Sequence, residues 1–222
     1  RLADKDRKEG RMPDPIPCEY IGWNAANALS RKLADAVGAS GFDPEIVVGV
    51  ARGGWPPARI VSDWLGRPNL LSIRLARYHG IDHDRGAAIR HTLQESVADR
   101  RVLIVDDVND TGVTLSMAKK YVLTQGAPAE VRVGVLHHKI SATFRPDYAA
   151  RRMTTWRWVL YPWSVIESLV SLFGKIENLP EEPEAVRLLL KAENRVSVPL
   201  TEIRQALAMF RETRGWGDGH PL

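Results

Sequence analysis

Short, uninterrupted apolar runs separated by helical patterns limit this chain to a narrow set of folds. Ile46-Val47-Val48-Gly49-Val50-Ala51 is apolar and mostly β-branched at consecutive positions, which predicts a strand buried on both faces. Val102-Leu103-Ile104-Val105 has the same character, residues 131–136 repeat it, and residues 69–75 are strand-like. Between these runs the period changes. Residues 23–39 place Ala26, Leu29, Leu33, Ala36 and Val37 on one helical face and end at Gly38 and Gly41. Helices are also predicted over about residues 56–65, stopped by Gly66, and over residues 113–123. Strands alternating with helices imply an α/β fold with a doubly wound, mainly parallel central sheet flanked by helices. Ligands in such sheets sit outside the carboxyl ends of the strands.

The composition narrows the class. At 222 residues, 44% hydrophobic and 26% charged, the chain is long enough for one medium domain with an appendage and too apolar to be disordered throughout. Its lone cysteine, Cys18, excludes an intramolecular disulfide or a multi-cysteine metal site and points to a cytoplasmic location. No run of about 18 apolar residues is present, and Arg1 to Arg11 alternate charges where an export signal would be apolar, so no membrane association is expected. A net charge of +4 suits a phosphorylated metabolite, a nucleic acid or plain solubility, and decides little by itself.

The richest stretch is Val105-Asp106-Asp107-Val108-Asn109-Asp110-Thr111-Gly112-Val113-Thr114, directly after the second buried run. A small loop opening into a helix presents backbone N–H groups, and Thr111 and Thr114 add hydroxyl donors, so the bend suits a phosphate. Asp106 and Asp107 repel phosphate but accept hydrogen bonds from vicinal hydroxyls. A phosphate beside a diol is a sugar phosphate. Arg52-Gly53-Gly54 follows the first strand and offers a cation together with glycines that let backbone approach an anion.

Together these two motifs resemble the type I phosphoribosyltransferases over roughly residues 20–170. The resemblance implies that Asp106 and Asp107 contact ribose hydroxyls, that Asp110, Thr111, Gly112, Val113 and Thr114 hold the 5-phosphate, and that Arg52 and Gly53 meet the pyrophosphate. Val113 stands where family members often have lysine. The resemblance also implies a non-proline cis peptide beside the basic residue of the first loop, and a small hood beside the sheet. Asp110 matches the aspartate that serves the hypoxanthine, guanine and xanthine enzymes as general acid/base near N7. By the same likeness Lys139 reads O6, Trp158 stacks on the purine and the backbone at Val159 meets the ring edge. Trp156 and Trp163 read as core or interface aromatics.

The polar segment 78–99 shows no apolar period and is expected to be a mobile or irregular loop. Its His79, His83 and His91 read as solvated, and Arg74, Arg77 and Tyr78 are candidates to meet the pyrophosphate when it closes. The chain divides into an N-terminal arm (1–19), a phosphoribosyltransferase domain (20–173) and a C-terminal helical extension (174–222). The extension has helical patterns over 184–193 and 199–213, and its Ile203, Leu207 and Phe210 form a stripe that must be buried. The expected reaction joins a 6-oxopurine to 5-phosphoribosyl-1-pyrophosphate (PRPP), giving a purine nucleoside monophosphate and pyrophosphate in purine salvage. The expected cofactor is Mg²⁺ held through PRPP, with Asp106 and Asp107 reaching it through water, and the expected assembly is a homodimer without nucleic acid. A non-catalytic regulator that keeps the fold and senses PRPP or a nucleotide is the alternative.

Overall fold

A computed structural model describes residues 15–76 and 88–214. Arg77, Tyr78, His79 and His83 lie outside the described residues. The chain clusters into two compact units, one of residues 22–156 and one of residues 1–21 with 157–222.

The larger unit is built on a six-stranded sheet. Its elements are α1 (Trp23–Ala39), β2 (Ile46–Ala51), α2 (Trp55–Trp64), β3 (Leu70–Ala76), β4 (Ala88–His91), β5 (Arg101–Asn109), α3 (Val113–Thr124), β6 (Glu130–Lys139) and β7 (Tyr148–Met153). The strand order is β4-β3-β2-β5-β6-β7, parallel throughout except for the antiparallel edge strand β4. Because both faces are covered, consecutive residues of the central strands are all apolar. Val48, Val50, Ile104 and Val133 pack with Leu115, Ala118 and Val122 of α3 on one face. On the other face Gly49 lies against Ala58 and Trp55 of α2, and Gly134 lies against Leu33 of α1. Fully buried aliphatic side chains of this kind contribute about 1.5–3 kcal/mol each.

Three features depart from the expectations. The polar segment was expected to be irregular, yet residues 88–91 form a strand on β3, with Arg74 opposite His91, and Val97 is buried. An edge strand needs only one apolar face and backbone partners, so Arg90 and His91 do not forbid it. Strand β6 runs on past Leu136 to Lys139, which makes His137 and His138 strand residues and leaves Lys139 inside the strand end. Strand β7 has no counterpart among the expected elements, and residues 140–147, which join it to β6, hold no helix.

The second unit contains β1 (Cys18–Tyr20), β8 (Trp158–Leu160), α4 (Val165–Phe173), α5 (Pro183–Glu193) and α6 (Leu200–Arg214). Strands β1 and β8 pair in parallel. The core of this unit gathers Leu169 and Phe173 of α4, Val186 and Leu190 of α5, and Ile203, Leu207 and Phe210 of α6. The stripe Ile203-Leu207-Phe210 is therefore buried as expected. That shared core, with the β1–β8 pair, places residues 157–173 in the unit that holds the C-terminal helices. Among the described residues no helix is long and apolar enough to cross a membrane.

Candidate active site

All the parts of the site described here belong to the larger unit. Strand β5 carries its apolar run straight into Asp106 and Asp107, which remain within the strand, Asp106 opposite Val135 of β6. Both carboxylates line a cavity of about 300 Å³ at the carboxyl end of the sheet. The bend Asp110-Thr111-Gly112 and Thr114 line it from β5 and α3, and Ala51 and Gly53 line it from the loop after β2. The Ala51–Arg52 peptide is cis. A Cβ on Gly53 would fall on the Asp107 carboxylate, so only glycine lets this loop approach the acidic pair.

The bend is supported from below by the 140–147 connection. The backbone N–H and the hydroxyl of Thr143 both donate to the Thr111 carbonyl, each at 3.0 Å. Ser141 Oγ donates to the Asp110 carbonyl at 2.9 Å. Asn109 Nδ2 donates to the Phe144 carbonyl at 2.7 Å and lies 3.0 Å from His138 Nδ1. Gly112 has φ +94°, and a Cβ there would overlap the Phe144 backbone nitrogen. It is also the N-cap of α3, so the helix start faces the cavity that the bend lines.

Beside the bend, Lys139 Nζ pairs with Asp110 Oδ2 at 3.0 Å. Lys139 is 3% exposed whereas the Asp110 side chain is 40% exposed, so a buried cation is tied to an acid at the cavity wall. Trp156 Nε1 donates to the other Asp110 oxygen at 3.0 Å.

A family model described as the phosphoribosyl transferase domain matches residues 22–167. The chain belongs to that family. A purine phosphoribosyltransferase of known structure from Pyrococcus horikoshii is 34% identical, with a TM-score of 0.59 over 65% of this chain and 93% of that one. Xanthine phosphoribosyltransferase 1 of Saccharomyces cerevisiae is 27% identical over 65% of this chain and 88% of its own length. Xanthine-guanine phosphoribosyltransferase of Cereibacter sphaeroides is 26% identical over 69% of this chain and 93% of its own.

Within this phosphoribosyl transferase domain, the residues expected from the sequence fall into three groups. Asp106, Asp107, Asp110, Thr111, Gly112, Thr114 and Gly53 come together around one cavity, with Lys139 tied to it through Asp110. Arg52, Val113 and Arg74 are exposed and do not line the cavity; Val113 is the first residue of α3, and Arg74 pairs with Ala51 across the sheet. Trp158 and Val159 lie on β8 in the other unit, where Lys175 Nζ sits 5.1 Å from the Trp158 ring centroid and Val159 is buried. Trp163 stacks on Tyr161, their centroids 4.8 Å apart. Trp156 is not a core residue: it is 39% exposed, and its indole N–H donates to Asp110. Ser141, Thr143 and Phe144 carried no signal in the sequence, because nothing in a short Ser/Thr-containing turn says which bend it will support.

The electrostatics of the domain follow from burial. Burial holds the Asp106 carboxyl well above the ordinary aspartate range and the Asp107 charge pushes it the same way, against the opposing pull of the Asp107 N–H on Asp106 Oδ1 at 3.0 Å. Burial, then the charges of Arg152 and Arg145, hold His138 below its usual value, which keeps Nδ1 available to accept from Asn109.

Because folding raises the Asp106 value, the native state holds a proton that the unfolded chain releases, so stability falls as pH rises from the ordinary 3.8 through the raised value. Asp106→Asn removes that penalty. The variant is expected to melt higher than the parent near neutral pH, with the gain vanishing toward pH 3.8. Melting curves of both proteins across that range provide the measurement, and an equal gain at every pH would show that the proton is not held there.

Proposed function

We propose that this chain transfers the phosphoribosyl group of PRPP to a 6-oxopurine, releasing pyrophosphate. The observation that carries the reading is the Lys139–Asp110 pair, 3.0 Å apart beside the bend that lines the cavity. A 6-oxopurine protonated at N7 presents a carbonyl acceptor at O6 next to an N–H donor. Lys139 donates and Asp110 accepts, so the two edges complement each other. Adenine would turn an amine donor toward the Lys139 ammonium, an uncompensated mismatch.

The chemistry then follows from position. The bend and the α3 start hold the 5-phosphate, and Asp106 and Asp107 accept from the ribose hydroxyls, which fixes C1 beside the purine edge. As N9 bonds to C1 and the C1–O bond to pyrophosphate breaks, the N7 proton passes to the Asp110 carboxylate, so the product nucleotide leaves neutral at the base. Lys139 meanwhile draws electron density toward O6.

Among the described residues no cluster of three or more His, Cys, Asp or Glu could enclose a metal ion. Asp106 and Asp107 are the residues that would help hold Mg²⁺ brought in with PRPP, through water. When bound, the ion would neutralise charge on the departing pyrophosphate. Salvage of hypoxanthine, guanine or xanthine is the metabolic role this reading supports.

The test is pyrophosphate release from PRPP and Mg²⁺ with hypoxanthine, guanine, xanthine, adenine and orotate in separate reactions. Release is expected with one or more of the three oxopurines and not with adenine or orotate. Tight PRPP binding without turnover of any base would instead establish a regulator.

A further inference from the structure

We propose that Trp156 is a positioning residue that holds Asp110 and Lys139 in register for the purine edge; this rests on the roles given to that pair above. Three side chains close on one another. The indole N–H donates to Asp110 Oδ1 at 3.0 Å, Asp110 Oδ2 meets Lys139 Nζ at 3.0 Å, and Lys139 Nζ lies 4.4 Å from the centroid of the indole ring. The two Asp110 oxygens therefore have different partners, and the plane of the carboxylate is held from both sides.

The placement comes from the sheet. Lys139 ends β6 and pairs in register with Met153, the last residue of β7, so the turn after β7 brings Trp156 beside the Lys139 end of β6. A tryptophan whose task was core packing would be buried, whereas this one is 39% exposed and uses both its polar and its aromatic surfaces on functional groups. Phenylalanine would keep the ring and lose the donor, and leucine would lose both.

That separation defines the experiment. In steady-state assays with PRPP and the preferred oxopurine, Trp156→Phe is expected to lower kcat about tenfold, because Asp110 Oδ1, the acceptor side of the pair, keeps only the longer 3.4 Å bond from Ser141 Oγ once the 3.0 Å indole donor is gone. The KM for PRPP and the melting temperature should stay close to those of the parent. Trp156→Leu should show the same loss in kcat and a further several-fold rise in the KM for the purine, because Lys139 loses the ring beside it. An unchanged kcat in Trp156→Phe would overturn the proposal, and a raised kcat would show that the indole obstructs the purine. A readout independent of turnover uses the indole N–H resonance in a ¹H–¹⁵N spectrum, identified by its disappearance in Trp156→Phe. It should shift when Asp110→Asn is introduced into the otherwise intact chain. No shift would overturn the proposal whether or not the protein turns over a base. A clear shift in a chain that turns over none would keep the geometry and refute the purine transfer instead.

Discussion

Replacing Gly112 by valine is expected to abolish PRPP binding at concentrations that saturate the parent protein, and to lower the melting temperature by roughly 4–8 °C, corresponding to about 2 kcal/mol. Two independent costs meet at this position. At φ +94° the backbone lies in the left-handed region that L residues with a Cβ avoid, a β-branched residue most of all. A Cβ would also overlap the Phe144 nitrogen, and that neighbour cannot move freely, because Asn109 holds the Phe144 carbonyl and Thr143 holds the Thr111 carbonyl. The clash must therefore displace the bend itself. With the bend go the amides at the start of α3, to which the proposed function assigns the 5-phosphate.

Gly66→Ala separates the two costs. Gly66 also has a positive φ, +65°, but a Cβ there meets nothing within 4 Å, and the residue lies outside the cavity. That variant should lose about 1 kcal/mol of stability and keep PRPP affinity. Calorimetric titration with PRPP and Mg²⁺, alongside melting curves, compares the two. If Gly112→Val binds PRPP within threefold of the parent, the bend is not the phosphate cradle.

The contrast between these glycines shows which parts of the molecule were legible from residues alone. Gly112 was legible because its motif is local: a strand, two acids, a small loop and a helix follow one another without interruption, so the chain itself brings them to one place. The central strands were legible for a similar reason, since burial on both faces leaves an unmistakable run of apolar residues at Ile46–Ala51 and 102–105. Helix α1 was readable to its ends because 17 residues give nearly five turns of repeated pattern.

Elements whose existence depends on a partner were not readable. Strands β1 and β8 have 3 residues each, too few to show any period, and are strands only because they pair with one another. Strand β4 is polar and leans on β3. Strand β6 continues through His137 and His138 because β5 and β7 satisfy its backbone on both sides, whatever the side chains are. The same limit applies within the site. Asp110 and Lys139 were each marked out by the family resemblance, but their ion pair, and Trp156 across it, arise from the register between β6 and β7, which no local pattern encodes.

That ion pair gives Asp110→Asn two separable effects. Catalysis should fall by about 10²–10⁴-fold in kcat, because an amide can accept a hydrogen bond from N7 but cannot take its proton. PRPP affinity should be kept, since the bend is held by Ser141 and Thr143 through backbone carbonyls that the substitution leaves in place. Stability should also fall, by about 1–2 kcal/mol, because Lys139 is 3% exposed and its buried ammonium would exchange a carboxylate partner for a neutral one. A kinetic loss accompanied by destabilisation is open to the objection that the site has merely loosened. The double variant Asp110→Asn with Lys139→Met meets it, since an apolar chain of similar length removes the unpaired charge and should restore most of the melting temperature. If kcat recovers together with stability, the Asp110 carboxylate serves only to neutralise Lys139 and proton transfer lies elsewhere. If stability returns while kcat stays low, with the KM for the purine raised by loss of the O6 donor, Asp110 is the proton acceptor and Lys139 reads the base.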